Sequence, residues 1–111
     1  AFACDDIFAT AGALAKNGFT ALAISQNYYD DLDARFGLDG DLLERLRAAN
    51  ILYDRDEHGE YFQLYSANFG EGFFFEIVER RGGYRGYGAA NAQFRIAAQK
   101  RQMRPVVIPR V

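Results

Sequence analysis

Apolar and polar positions along the chain change period near its middle. In the first half, apolar residues recur at helical spacing. Ile7, Phe8, Ala11, Leu14 and Ala15 form one stripe, which predicts a helix. Asp5 and Asp6 precede it as cap and N-terminal charge, and Asn17-Gly18 closes it. Residues 1–4 read as the end of a strand and residues 19–24 as a further strand. Tyr28, Leu32 and Phe36 fall four apart and stop at Gly37. Leu38, Leu42, Leu46 and Ala49 take up the same spacing, so two helices lie back to back.

The second half alternates. Residues 51–55 and 60–66 flank Asp56-Glu57-His58-Gly59, which is turn chemistry for a hairpin. Residues 71–79 make another strand, rich in Phe, and Arg81-Gly82-Gly83 breaks it. Residues 84–88 form a glycine-punctuated loop, residues 89–102 suit a helix, and residues 104–111 hold both prolines as an extended tail. The fold class is α+β: one βαβββ unit with helical insertions and a C-terminal helix. Such a unit exposes one concave sheet face and needs a second copy to cover it.

Composition narrows the function classes. A chain of 111 residues is one domain at most. It is 50% apolar and 25% charged with two prolines, which excludes a disordered tail. No apolar run approaches the ~18 residues of a spanning helix, so no membrane role is expected. One cysteine, Cys4, excludes a disulfide framework, and one histidine, His58, limits any metal site built from this chain alone. The chain starts without Met, inside an apolar run, and has no signal-peptide pattern. The expectation is a cytoplasmic fragment of a longer chain, with residues 1–103 as one module and 104–111 as a tail. Residues 1–60 hold 12 acids against 5 Lys/Arg, and residues 61–111 hold 3 acids against 8. The basic residues are scattered and no nucleic-acid motif accompanies them, so this half reads as a solvated face rather than a nucleic-acid surface.

Glu76 is the most informative residue. It shares a strand face with Phe74 and Val78, while Phe73, Phe75 and Ile77 take the other, as in a strand buried on both sides. A carboxylate there must be protonated, paired or bound to a metal; the bland alternative is a partly exposed Glu near an edge or beside an Arg. Gln63 alternates with Tyr61 and Tyr65 and lies beside Glu76 if the last two strands pair antiparallel. Its amide can orient a ligand or satisfy a backbone group. His58 falls in a charged turn, Cys4 reads as a small buried residue, and the Gly82-Gly83 and Gly86-Tyr87-Gly88 pairs match no phosphate-binding fingerprint.

Ile51-Leu52-Tyr53-Asp54-Arg55-Asp56, Gln63 and Phe73-Phe74-Phe75-Glu76-Ile77-Val78-Glu79-Arg80, followed by the Gly-rich loop and Asn91, carry a resemblance over residues 1–100. They resemble the C-terminal module of 4-hydroxyphenylpyruvate dioxygenases, in the vicinal oxygen chelate superfamily. The resemblance implies a βαβββ vicinal oxygen chelate module in which Glu76 is a ligand to a divalent metal: Fe2+, Mg2+, Mn2+ or Co2+. It implies two His ligands outside this chain, one in a preceding module and one just before Ala1, completing a facial triad with open positions. It further implies substrate binding by Gln63, Tyr65, Phe74, Tyr87 and Asn91. Where the family's loop ends in a Phe that stacks on an aromatic substrate, this chain has Ala92.

Arg80-Arg81-Gly82-Gly83-Tyr84, the Gly86–Asn91 loop, Tyr28-Tyr29-Asp30-Asp31-Leu32 and Leu42-Leu43-Glu44-Arg45-Leu46-Arg47 look like one bacterial subgroup. In those fusions an N-terminal barrel acts as a 3-dehydroshikimate dehydratase, a lyase that makes protocatechuate in quinate and shikimate breakdown. A dioxygenase-like region follows. The expected partners are then the preceding module and barrel of the same chain and a small carboxylate or 2-oxo acid, with a homo-oligomer left open. Two alternatives stand beside this reading: a genuine 4-hydroxyphenylpyruvate dioxygenase-type non-haem iron oxygenase, which Ala92 disfavours, and a non-catalytic, metal-stabilised structural or regulatory module.

Overall fold

Alternation in the second half of the chain builds the sheet on which everything else rests. The computed structural model describes residues 1–67, 74–86 and 88–103. Its strands are β1 (Phe2–Ala3), β2 (Leu52–Arg55), β3 (Gly59–Tyr65) and β4 (Glu76–Gly82). They form one sheet in the order β1-β4-β3-β2. β1 runs parallel to β4, and the other two pairings are antiparallel. The helices are α1 (Ile7–Lys16), α2 (Gln26–Phe36), α3 (Gly40–Ala48) and α4 (Ala92–Met103), the last preceded by a 3-10 turn at Ala89–Asn91.

The helix boundaries follow their caps. The Asp6 side chain accepts from the Phe8 and Ala9 amides, and Asp39 does the same for Asp41 and Leu42. Gly37 ends α2 in the left-handed conformation, at φ 59°. α1 lays its apolar stripe on the sheet face made by Phe62, Leu64 and Ile77, with the Phe8 ring edge-on to Phe62. The N-terminus of α1 meets a buried acid from the sheet. Glu79 Oε1 accepts from the Ile7 amide at 2.7 Å, and its Oε2 accepts from Arg81 Nε at 2.6 Å. That carboxylate neutralises the positive end of the helix where water does not reach.

α2 closes the outer edge of β2. The Tyr53 amide donates to the Tyr28 hydroxyl at 2.8 Å, and the Tyr29 hydroxyl donates to the Ile51 carbonyl at 3.0 Å. Two buried phenols thus occupy groups to which another strand would pair.

Residues 19–24 were expected to form a strand, and they do not. They make one antiparallel bridge, Ala21 to Ser66, flanked by Leu22 N–H to Tyr65 O and Ala67 N–H to Thr20 O, both 2.8 Å. The segment meets β3 only past Gln63, where β2 has ended, and the Ile24 amide turns instead to Asn50 Oδ1. What remains is βαβββ with α2 and α3 inserted. The last strand begins at Glu76 and runs through Gly82 rather than breaking there. Gly82 (φ 69°) faces Gly59, where an added Cβ would stand 2.0 Å from the Arg81 carbonyl oxygen, so glycine here permits a close approach of strands instead of ending one. Burial on both faces holds for Ile77 and Val78 but not for Phe74 and Phe75, which are 36% and 48% exposed: they precede the paired strand. Residues 68–73, the first part of the expected strand, and 104–111, the expected tail, lie outside the described residues.

Candidate functional site

The register of the hairpin brings the polar residues of the sheet to one place. Tyr65 pairs with Glu76 and Gln63 with Val78, so Gln63, Tyr65 and Glu76 share a face. Gln63 Nε2 donates to Glu76 Oε2 at 3.0 Å and to the Tyr65 hydroxyl at 2.8 Å. The Tyr65 hydroxyl, whose own proton burial and the Glu76 charge hold well above the ordinary tyrosine range, donates to the same Oε2 at 3.1 Å. Among the described residues no hydrogen bond falls on Oε1.

The direction of Gln63 is set from behind. Asn91 Nδ2 donates to Gln63 Oε1 at 2.9 Å and to the Tyr53 carbonyl at 3.3 Å. Asn91 Oδ1 accepts from the Tyr28 hydroxyl at 2.9 Å, and that hydroxyl accepts from the Tyr53 amide. The single Tyr28 proton is shared between two acceptors at 2.9 Å, Asn91 Oδ1 and the Tyr53 carbonyl. From Asn91 onward the donors run in one sense through Gln63 to Glu76. Donors aligned in one sense reinforce one another, and the chain terminates on a carboxylate. Gly88 lies against the Gln63 amide: a Cβ there would stand 2.4 Å from Oε1, and its φ is 69°. Its amide donates to the Tyr84 hydroxyl, which in turn donates to Asp54 at 2.6 Å, while the Tyr84 ring stacks on Tyr61.

A cavity of about 250 Å³ opens on this face, lined by Gln63, Tyr65, Phe74, Glu76, Gly88, Ala89, Ala92 and Arg95. Gln63, Tyr65, Phe74 and Glu76, singled out from the sequence, therefore meet in one place. Asn91 stands behind Gln63, 1% exposed, rather than in the lining. Tyr87 lies outside the described residues. Arg95 on the wall and the buried Glu79 were not foreseen. Arg95 had a signal: it follows Ala92 by three residues on a helix, so both present to one face. Glu79 had none, because its partner is the amide of Ile7, 72 residues away.

The remaining candidates stay apart. His58 is exposed in its turn, 3.4 Å from Glu57. Cys4 lies in an apolar hollow with Phe2, Leu14, Phe19 and Ile77, where burial raises its thiol pKa, the opposite of what a nucleophile needs.

The donor chemistry defines what a metal could take from this chain. Among the described residues no three His, Cys, Asp or Glu side chains cluster closely enough to hold an ion. Glu76 lines the cavity with one oxygen fixed by two donors, which suits a ligand that supplies one corner of a shared site.

No family model matches the chain. It is 50% identical over 107 residues to a 3-dehydroshikimate dehydratase of Pseudomonas aeruginosa, covering 96% of this chain and 17% of the relative. It is 34% identical over 93 residues to a 4-hydroxyphenylpyruvate dioxygenase of the same species, covering 82% and 26%. Its backbone superposes on a xylose isomerase-like TIM barrel/4-hydroxyphenylpyruvate dioxygenase fusion protein with a TM-score of 0.85 at 48% identity, covering 91% of this chain and 16% of the other. The chain thus spans about a sixth of the dehydratase and of the fusion protein, and about a quarter of the dioxygenase. Among the described residues the strands form one open four-stranded sheet, and the shared part is the dioxygenase-like region, with the vicinal oxygen chelate fold.

Proposed function

Starting from a chain that shares sequence and fold with the dioxygenase-like region of such fusions, we propose that it is the metal-binding C-terminal module of a 3-dehydroshikimate dehydratase. The whole protein is then a cytoplasmic lyase that removes water from 3-dehydroshikimate to give protocatechuate, in quinate and shikimate breakdown. That step belongs to a barrel outside this chain. Here Glu76 supplies one oxygen ligand to a divalent cation, with the other protein ligands coming from outside the described residues. When bound, such a cation polarises an oxygen-bearing ligand as a Lewis acid. Gln63 and Tyr65 orient the Glu76 carboxylate, and Asn91 orients Gln63.

The observation that supports this reading best is the convergence of two neutral donors on one Glu76 oxygen at the wall of the cavity. Glu76 is half-buried, and among the described residues no cation lies within 4.0 Å of it, so its charge is met by neutral donors and by the open cavity. Ala92 lines the cavity where the resemblance places a stacking Phe, which speaks against turnover of an aryl-pyruvate, although the Tyr65 and Phe74 rings line the same cavity.

The test uses the intact protein. Incubation with 3-dehydroshikimate should yield protocatechuate, and its absence contradicts the proposal. Metal-dependent oxygen uptake with an aryl-pyruvate, abolished in Glu76→Gln, would support the oxygenase reading instead. A Glu76→Gln protein that melts lower and loses its assembly, with no uptake in the parent protein, would support a structural module.

A further inference from the structure

Arg95 lies on the wall of the Glu76 cavity, and among the described residues no carboxylate lies within ion-pair distance of it. Its position is held by neutral groups. The guanidinium carbon sits 5.6 Å from the centre of the Tyr65 ring and 5.7 Å from that of Phe74, and Nη1 donates to Gln99 Oε1 at 3.1 Å, one turn along α4. Two rings and one amide flank the group yet occupy few of its five N–H donors. The side chain is half-buried. Ala92, one turn earlier on the same face, is small and leaves the space in front of it open. A half-buried guanidinium that meets no carboxylate among the described residues keeps donors to spare, and a planar fork of donors matches a carboxylate with two parallel hydrogen bonds.

We infer that Arg95 anchors a carboxylate of the ligand, so that the cavity selects small organic acids with one oxygen-rich end toward Glu76 and a second carboxylate at Arg95. The Arg95 end of this inference stands on the geometry alone; the Glu76 end rests on the metal reading above. The size fits: about 250 Å³ lies below the range of drug-sized pockets and suits a small diacid. The partition of charge also fits. Glu76 and its metal take one end, and Arg95 is the other charged residue among the described residues of the lining.

Calorimetric titration of the intact, metal-loaded protein with 2-oxoglutarate and with 2-oxopentanoate tests this. The two have the same carbon chain and differ in a terminal carboxylate against a methyl. The diacid should bind at least about tenfold more tightly, a difference of ~1.4 kcal/mol. Arg95→Met should erase the ratio, and Arg95→Lys, with charge but no fork, should keep part of it. Equal affinities in the parent protein, failure of both to bind, or an unchanged ratio in Arg95→Met would overturn the inference. Because the ratio is measured first in the parent protein, a poorly folding variant leaves it decidable. Metal uptake is followed in the same samples. A diacid preference without metal uptake removes the metal reading and leaves Arg95 standing, and metal uptake without a preference does the reverse.

Discussion

Asn91 Nδ2 lies 2.9 Å from Gln63 Oε1, and this contact behind the Gln63 amide, together with the acceptor-only Glu76 carboxylate in front, sets which end of the amide faces Glu76. With its oxygen occupied from behind, Gln63 turns its NH2 forward and donates to both Tyr65 and Glu76. A residue from the loop before α4 thereby controls a carboxylate on β4 that it does not touch.

Asn91→Asp should break that control. A carboxylate would then face the Gln63 carbonyl, and Gln63 must flip, which leaves an acceptor against Glu76. The expected loss is about 1–3 kcal/mol of stability, read by urea unfolding. The Gln63 side-chain amide resonances should move at the same time. Stability and resonances like those of the parent protein would show that the Asn91 contact is incidental.

Gly88→Ala should also disturb Gln63, by contact rather than by charge. The added methyl would overlap the Gln63 side chain, and the backbone there is left-handed. A loss of more than ~1 kcal/mol is expected. An unchanged melting temperature would count against so close an approach.

Glu79 is expected to matter for folding and not for ligand binding. Glu79→Ala leaves the Ile7 amide, at the buried start of α1, without its acceptor, at a cost of about 1–3 kcal/mol. Arg81→Met should cost less, under ~1 kcal/mol, because that side chain is exposed. Comparable losses in the two variants would mean that the ion pair, and not the helix terminus, is what Glu79 serves.

Alkaline stability follows from the buried phenols. Burial, then the hydrogen bond to Glu60, push Tyr53 up to about 12, and burial holds Tyr28 and Tyr29 higher still. Below pH ~10 these groups are protonated in the folded and unfolded states alike, and they add no pH dependence. Above it the unfolded chain releases protons that the folded chain keeps, so stability falls as pH rises toward 12. Urea midpoints should be level to about pH 9 and drop by pH 11, with a shallower drop in Tyr53→Phe. A level profile to pH 11 would contradict the burial of these hydroxyls.

Local chemistry was legible in the sequence. Asp6 caps the helix it precedes because a cap needs only its own next three residues. Asp39 caps α3 in the same way but was not singled out, because the apolar spacing starts before it, at Leu38. Alternation placed Gln63 and Glu76 on one face because a strand's period leaves no other choice. Residues 19–24 misled because their composition suits a strand, whereas pairing depends on how far β2 extends alongside β3. Gly82 misled because glycine both breaks strands and lets them approach. Asn91 was singled out, but its service to Gln63 was not visible. Its partners lie 28 and 63 residues away, and only the folded chain joins Tyr28 to Gln63 through it.

The central claim is that Glu76 gives an oxygen to a divalent cation. Its most direct measurement is equilibrium binding of Mn2+ to the intact, metal-stripped protein, followed by the electron paramagnetic resonance of the free ion. The parent protein should bind Mn2+ stoichiometrically at the site that Glu76 shares, and Glu76→Gln should weaken that binding by at least about tenfold. Equal Mn2+ affinity in the two proteins would contradict the account.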